Sequence, residues 1–281
     1  MSKIITSIKE MQAQSAALRA KGNSIVFVPT MGFLHDGHRA LLVAGRKMGS
    51  TLVMSIFVNP AQFGPKEDLS AYPRDLDRDL KMAEDEGVDI VFTPSAPDMY
   101  PDGFKTFVEV EGLSNTLCGA SRPGHFRGVA TVVLKLFNLV MPHKALFGKK
   151  DFQQIKVIEQ MVKDLDLPVE ITGVETVREM DGLAMSSRNS YLGPQERTAA
   201  ICVPKAMEEA RKLVDAGEAE SRIVIEKVKK IIEKEPLAMI DYIRVCRSDN
   251  LEDAPVIDEG SMLFLAVKVG KARLIDNTSL K

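Results

Sequence analysis

The sequence contains no tryptophan, only three cysteines among its 281 residues, and no long uninterrupted apolar run. Cys118, Cys202 and Cys246 are far apart and odd in number, which argues against a disulfide framework or a clustered zinc site and favours a reducing cytoplasm. No stretch of about 18 apolar residues is present, so we expect no membrane span. The polar first residues also do not have the apolar core of a signal peptide.

An excess of charge of either sign is also missing. The 37 Lys and Arg residues nearly balance the 39 Asp and Glu residues, which leaves a formal net charge of −2. No bulk positive field therefore attracts the chain to nucleic acid or to a membrane surface, and neither is an expected partner. The length favours one large domain with one small domain.

Short apolar runs alternate with amphipathic segments through the first part of the chain. Buried strands are predicted at residues 24–28, 51–58, 88–95 and 145–147, and an alternating strand at residues 106–110. Helices are predicted at residues 39–48, 76–86, 128–140 and 151–165. This order indicates an α/β fold with a parallel sheet covered on both faces, where ligands bind at the carboxyl ends of the strands.

The pattern changes after about residue 179. A loop over residues 181–195 is followed by two charged helical segments, at 195–216 and 219–234, and by two strands at 239–246 and 262–269. We interpret this part as a smaller α+β domain, with a boundary near Val177.

The first strand ends in the sequence VPTMGFLHDGH, which places His35, Gly37 and His38 at the start of a helix. The loop lacks the Gly-x-Gly-x-x-Gly fingerprint, and the next strand ends in Asn59 rather than an acid, which disfavours a nicotinamide dehydrogenase. Free N–H groups and the helix dipole suit a phosphate, and imidazoles can donate hydrogen bonds to it. The alternatives are two histidines that cap the helix locally, or a zinc site that lacks a third nearby ligand.

Neutral amides end the second strand. Asn59 and Gln62 can bind hydroxyl and carboxylate groups, or they can stabilise their own turn. Arg122 and His125 precede an apolar helix, and a solvated basic loop is the alternative to a substrate contact there.

Two further stretches carry phosphate chemistry. Either Lys149 or Lys150 can lie against phosphates, and Asp151 can contact a ribose or cap the following helix, with Gln154 one turn further on. In LAMSSRNSYL, two hydroxyls and an arginine form either a clamp for the β- and γ-phosphates or a serine-rich linker. In YPRDLDRDL, the three aspartates, Asp79 among them, either begin a solvated helix, or one of them helps to hold magnesium.

The stretches PTMGFLHDGH, NPAQF, YPR, SRPGHFRGV, LFGKKDFQQ and MSSRN occur in this order. With them the sequence resembles the pantoate–β-alanine ligase (pantothenate synthetase) family, within the broader His-x-Gly-His nucleotidylyltransferase superfamily. The resemblance implies a Rossmann-like ATP- and pantoate-binding domain at residues 1–176, a smaller α+β lid domain at residues 177–281, and a cytoplasmic homodimer. It also implies ATP and Mg²⁺, and the condensation of (R)-pantoate with β-alanine to pantothenate through pantoyl adenylate, with release of pyrophosphate and AMP.

The resemblance also implies roles for individual residues. The catalytic residues would be His38 as proton donor, with His35, Lys150 and Arg188. The ATP-binding residues would be Met31, Gly32, Phe33, Leu34, His35, Asp36, Gly37, His38, Gly148, Lys149, Lys150, Asp151, Val177, Met185, Ser186, Ser187 and Arg188. Pantoate would contact Gln62, Gln154, Thr30 and Asn59, with Gln62 also near β-alanine, Asp79 at magnesium, and Arg122 and His125 on a gate loop.

Adenylate formation needs positive charge against the leaving pyrophosphate, which we assign to His38, Lys150, Arg188 and a magnesium ion. The residues alone do not exclude two other functions. One is a nucleotidyltransferase that leaves the nucleotide on its product. The other is a sensor that binds ATP without turnover.

Overall fold

The computed structural model describes residues 2–65, 67 and 69–281, and their strands form two separate sheets. The strands of the first sheet are β1 (Lys3–Ile5), β2 (Ile25–Thr30), β3 (Thr51–Ile56), β4 (Ile90–Phe92), β5 (Lys144–Gly148) and β6 (Glu170–Val174). They are parallel and lie in the order β1-β4-β3-β2-β5-β6. The predicted α/β class with a parallel sheet is therefore confirmed.

Helices cover both faces of this sheet. The helices of this part of the chain are α1 (Ile8–Ala20), α2 (Asp36–Arg46), α3 (Leu76–Asp85), α4 (Ala96–Met99), α5 (Leu117–Ser121), α6 (His125–Val140) and α7 (Phe152–Asp164). Successive residues of β2 point to opposite faces, so Phe27 packs in the apolar cluster that contains α6, whereas Val26 and Val28 pack with Leu42 of α2. Burial on both sides explains why the strand sequences are continuously apolar.

The second unit is a small antiparallel sheet with its own apolar core. Its helices are α8 (Pro194–Ala200), α9 (Cys202–Asp215) and α10 (Ser221–Ile232), and its strands are β7 (Ala238–Arg247), β8 (Ser261–Val269) and β9 (Ala272–Ser279) in the order β7-β8-β9. Val203, Val224 and Leu265 are fully or almost fully buried in that core. The smaller α+β unit is confirmed, whereas the boundary at Val177 stays a prediction.

Several elements differ from the prediction: β1, α1, α4 and α5 were not predicted, and three further differences have a physical reason. Residues 106–110 form no strand, because the backbone N–H of Val108 donates to the side chain of Thr131 (2.9 Å) rather than to a neighbouring strand. The helix predicted over residues 195–216 is two helices, since Pro204 has no N–H to donate to the carbonyl of Ala200. Strand β9 was not predicted, because its polar residues hide the strand pattern.

No helix in the described part of the chain is both long and apolar enough to cross a membrane. Cys118, Cys202 and Cys246 are buried and unpaired, as their spacing predicts.

Candidate active site

Strands β2 and β3 end side by side, with Thr30 opposite Ile56, so the turns that follow them meet at one edge of the sheet. The Thr30 hydroxyl donates to the carbonyl of Ser55 (2.7 Å) and accepts from the N–H of Gly32 (3.2 Å). Thr30 is therefore fixed at the start of the turn.

The turn after β2 needs left-handed backbone at two successive residues. Gly32 has φ +82° and Phe33 has φ +52°. A Cβ on Gly32 would lie 2.9 Å from Oδ2 of Asp79, so glycine is required both for φ and for space. Helix α2 begins three residues later, at Asp36.

His35 and His38 cap α2 and also line the cleft above it. The Nδ1 atom of His35 accepts from the N–H of Gly37 (3.1 Å), and the Nδ1 atom of His38 accepts from the N–H of His35 (3.2 Å). Because each Nδ1 is an acceptor, each neutral ring carries its proton on Nε2. The two alternatives left open by the sequence are thus compatible: one ring nitrogen caps the helix and the other can donate to a ligand.

Both rings are neutral at pH 7. Burial lowers the pKa of His38 from 6.5 to about 3, with the nearby His35 and the Lys150 ammonium acting in the same direction. Burial, then Lys150, lowers the pKa of His35 to about 4. The histidines are therefore neutral hydrogen-bond donors, and Lys150 rather than His38 supplies positive charge beside them.

These shifts predict that the protein loses stability in mild acid. The unfolded histidines titrate near pH 6.5, while His35, His38 and His125 titrate in the fold at about 4, 3 and 4. Between these values the unfolded chain binds more protons, so the free energy of unfolding should fall as pH drops below 6.5, by about 1 kcal/mol per pH unit for each histidine. Urea unfolding at pH 7.5, 6 and 5 measures this slope, and His38→Gln should reduce it by about a third. An equal free energy of unfolding at pH 7.5 and 5 would contradict the neutral-ring assignment.

The turn after β3 is built around the buried amide of Asn59. Its Nδ2 donates to Oε1 of Gln62 (3.0 Å) and to the carbonyl of Gly128 (3.1 Å), and its Oδ1 accepts from the Tyr100 hydroxyl (2.8 Å). The Nε2 of Gln62 has only the sulfur of Met31 as partner among the described residues (3.1 Å), and sulfur is a weak acceptor. Asn59 therefore positions the turn, while the amide of Gln62 can donate to a ligand.

Gly128 of α6 lets this turn lie against the helix backbone. A Cβ at Gly128 would meet the carbonyl oxygen of Ala61 at 2.2 Å and the backbone nitrogen of Gln62 at 2.6 Å. Gly128→Ala should lower the free energy of unfolding by about 1–3 kcal/mol and displace Gln62. Urea unfolding measures the loss, and Gly148→Ala is the control for stability because its Cβ would meet nothing within 4 Å. Equal stability of the two variants would disprove the close approach.

Arg122 and His125 close one side of the cleft. Arg122 makes two hydrogen bonds to the Glu67 carboxylate (2.7 and 2.6 Å) and contacts Nε2 of His125 (3.0 Å). Because the carbonyl of Gln62 can only accept, the Nδ1 of His125 donates to it (2.8 Å), and its Nε2 accepts from Arg122. The basic loop is therefore an ordered part of the site, not a solvated one.

Two adjacent lysines after β5 have different environments. Lys149 forms an ion pair with Glu175 and does not line the cleft. Lys150 lines the cleft, and it forms no ion pair with any residue that the structure describes. Asp151 also lines the cleft, and its side chain does not cap α7, so the capping alternative is wrong.

Asn277 of β9 holds the turn that carries these lysines. Its Nδ2 donates to the carbonyls of Lys149 (3.0 Å) and Lys150 (2.8 Å), and its side chain is 8% exposed. The smaller sheet thereby fixes the position of the cleft lysine.

The stretch with two serines is an ordered turn. The Ser186 hydroxyl accepts from the N–H of Arg188 (3.3 Å), and the Ser187 hydroxyl lies 3.0 Å from the hydroxyl of Tyr72. Asn189 donates to the carboxylate of Glu179 (2.6 Å). The linker alternative is therefore wrong, and the turn places its hydroxyls and Arg188 at the cleft.

Asp79 is 1% exposed and lies beneath the turn after β2, where it accepts from the N–H groups of Phe33 and Leu34 at 2.7 Å each. Burial raises the pKa of Asp79, and these two donors oppose the shift. The aspartate is neither on a solvated helix start nor in the cleft.

One cleft gathers most of the predicted site residues. Those that line it are Thr30, Met31, His35, Gly37, His38, Asn59, Gln62, Arg122, His125, Gly148, Lys150, Asp151, Gln154, Val177, Met185, Ser186, Ser187 and Arg188. Those that lie outside its lining are Gly32, Phe33, Leu34, Asp36, Asp79 and Lys149.

One wall of the cleft is apolar and was not predicted from the sequence. Val129, Val132, Val133 and Leu136 of α6 line the cleft, as does Phe57 after β3. Their helical spacing is visible in the sequence, but it does not distinguish a cleft wall from ordinary core. The wall gives the Gln62 end of the cleft an apolar surface beside its amides.

A parallel sheet with helices on both faces, and a polar cleft at the carboxyl ends of its central strands, define a Rossmann-like α/β enzyme. A family model described as pantoate-beta-alanine ligase matches residues 3–279. The chain therefore belongs to the pantoate–β-alanine ligase family, as its motifs predict, and the expectation of an enzyme is confirmed.

Individual relatives match this chain over nearly its full length. Pantothenate synthetase from Syntrophotalea carbinolica is 55% identical over 274 residues, which cover 98% of this chain and 97% of that protein. Its counterpart from Geobacter sulfurreducens is 55% identical over 278 residues, covering 99% and 98%.

Solved structures give the same result. Pantothenate synthetase from Thermus thermophilus has a TM-score of 0.94 at 43% identity, over 99% of both chains. Pantoate-beta-alanine ligase from Francisella tularensis, solved with beta-gamma ATP and beta-alanine, has a TM-score of 0.83 at 33% identity and covers 100% of this chain and 98% of that one.

Proposed function

We propose that the cleft condenses (R)-pantoate with β-alanine in two steps. In the first, a pantoate carboxylate oxygen attacks the α-phosphorus of ATP, the bond to the β-phosphate breaks, and pyrophosphate leaves. In the second, the amine of β-alanine attacks the acyl carbon of pantoyl adenylate, AMP leaves with the electron pair of the broken C–O bond, and the amine loses a proton. Family membership supports the overall reaction, and the cleft geometry supports the division of roles below.

The observation that carries the proposal is the grouping of two neutral Nε2–H donors with the Lys150 ammonium at one end of the cleft. His35, His38 and Lys150 would contact the phosphates, where negative charge grows as pyrophosphate departs. Fixed donors and charge aimed at such a group stabilise the transition state without reorganisation. Arg188, with Ser186 and Ser187, would close over the same phosphates.

The other end of the cleft suits a small branched hydroxy acid. Gln62 and Gln154 offer amides for hydroxyl and carboxylate groups, and the apolar face of α6 offers a surface for the two methyl groups of pantoate. Neutral amides hold the carboxylate without an ion pair that would reduce its nucleophilicity. We assign Thr30 and Asn59 to fixing this pocket rather than to binding, because their hydrogen bonds are made within the protein.

Magnesium is also implied by the resemblance, with Asp79 as its ligand. The buried Asp79, with both oxygens bound to backbone N–H groups, does not fit that role. The described residues contain no group of three or more His, Cys, Asp and Glu side chains that could hold a metal ion. We therefore assign magnesium no ligand among the described residues.

The test is AMP release from ATP with and without each of pantoate and β-alanine. The proposal requires AMP release to depend on both, with pantothenate formed in equal amount. A stable nucleotidylated product would indicate the transferase alternative. Binding of ATP without turnover in the presence of both substrates would indicate a sensor.

We also propose, on the resemblance alone, a cytoplasmic homodimer in which residues 177–281 form a lid over residues 1–176. The separate apolar core of the smaller sheet supports the division, and the unpaired cysteines suit a reducing compartment. Light scattering after size-exclusion chromatography tests the dimer, since the monomer mass is 30.9 kDa.

A further inference from the structure

The carboxylate of Asp79 is the anion that two backbone N–H groups of the turn after β2 bind. Successive N–H groups in a turn with left-handed residues form a concavity that attracts anions. Here Phe33 and Leu34 supply the two N–H groups, and the Asp79 oxygens accept one each at 2.7 Å. The resemblance assigns Phe33 and Leu34 to ATP, but their N–H groups are already bound to the protein.

Helix α3 holds the turn from a second side. The guanidinium of Arg78 donates to the carbonyl of Leu34 (3.1 Å) and lies 5.4 Å from the ring centroid of Phe33. Consecutive residues of one helix therefore bind the N–H groups and a carbonyl of the same short turn. Contacts that join residues 44 to 46 positions apart fix this turn before any nucleotide arrives.

The same contacts exclude a hydrated cation at Asp79. Magnesium usually keeps several waters when a protein binds it through one or two carboxylates. A side chain that is 1% exposed, packed under Gly32, offers no room for that shell.

We propose that Asp79 is a positioning residue that holds the Met31–His38 turn in its nucleotide-binding shape, and that it is not a magnesium ligand. The proposal rests on the proposed function in one respect, namely that this turn binds ATP. It acts through geometry: the turn sets the direction in which α2 begins, and therefore where the Nε2 atoms of His35 and His38 point.

The first experiment uses the unmodified protein without metal or nucleotide. Hydrogen exchange resolved to single amides should show strong protection of Phe33 and Leu34 in EDTA, with little change when MgCl₂ is added. Exchange of both amides at unprotected rates would overturn the proposal. This measurement involves no turnover, so its outcome does not depend on the proposed reaction.

The second experiment compares Asp79→Asn with Asp77→Asn, which removes the same charge from an exposed position on the same helix. In Asp79→Asn one N–H faces an NH₂ group instead of an acceptor. We expect a Kd for ATP in EDTA, measured by calorimetry, that rises about tenfold, the effect of losing one charge-assisted hydrogen bond. The MgCl₂ concentration that gives half-maximal AMP release should not change, and Asp77→Asn should match the unmodified protein in both measurements.

A third experiment, in which a small carboxylate is added to a variant without the Asp79 side chain, distinguishes a positioning role of Asp79 from magnesium binding. Asp79→Ala leaves space that formate can fill as a free carboxylate, so formate should restore ATP affinity in EDTA whereas acetamide should not. Restoration of AMP release by raised MgCl₂ alone, or an unchanged Kd for ATP in Asp79→Asn, would overturn the proposal. If the unmodified protein binds ATP but releases no AMP, the proposed reaction fails while the exchange and affinity results still decide the role of Asp79.

Discussion

His38→Ala should slow pantothenate formation by about 10²-fold or more, because one preorganised donor to the leaving pyrophosphate is lost. The measurement is kcat for AMP release at saturating substrates, with folding checked by circular dichroism. His143→Ala is a matched control. The Nδ1 of His143 also accepts a backbone N–H, that of Ile25 (3.0 Å), but Ile25 lies at the opposite end of β2.

The structure also separates the two roles of His38. His38→Asn keeps an oxygen that can accept the N–H of His35, so the helix cap is retained, while the Nε2–H donor is removed. We expect His38→Asn to recover the stability lost in His38→Ala and to remain slow. Recovery of both stability and kcat would show that His38 acts only as a cap.

Lys150→Met should lower kcat/KM for ATP by about 10²-fold, since the fixed positive charge beside the two imidazoles is removed while the apolar stem is retained. Pyrophosphate exchange in the presence of pantoate measures the first step directly. Lys149→Met is the control, because the Lys149 side chain does not line the cleft and is paired with Glu175, so kcat/KM should fall only a few-fold. Equal losses in the two variants would refute the assignment of Lys150 to the phosphates.

Much of the fold could be predicted because its strands are buried on both faces. Continuous apolar runs such as the one ending at Val28 have few alternatives in a chain of this composition, and the strand–helix order then dictates a parallel sheet. Strand β9 was not predicted because its sequence includes the polar residues Asp276 and Asn277, whereas its neighbour β8 has a continuous apolar pattern. Polar residues in a strand are indistinguishable from a loop until their partners are known.

The site was predictable in its residue types and not in their partners. The end of each strand indicated where His35, Asn59 and Lys150 would meet, since parallel strands bring their carboxyl ends to one edge. Certain hydrogen bonds show which residues are free to bind a ligand and which only position others. These bonds join distant parts of the chain, as the one between Asp79 and Leu34 does across 45 positions. No local spacing encodes such a contact. The sequence therefore could not decide whether the two histidines cap a helix or bind a ligand, or whether Asp79 binds magnesium or faces solvent.

The amide of Asn277 has a consequence for the order in which the site is completed during synthesis. It joins Lys150 across 127 positions, and of the residues that build the cleft it is the last to leave the ribosome. A nascent chain therefore carries both histidines and the complete parallel sheet while its lysine turn still lacks this brace. The hydrogen bonds from Asn277 to the turn that carries Lys150 can form only after the final strand of the small sheet has been made.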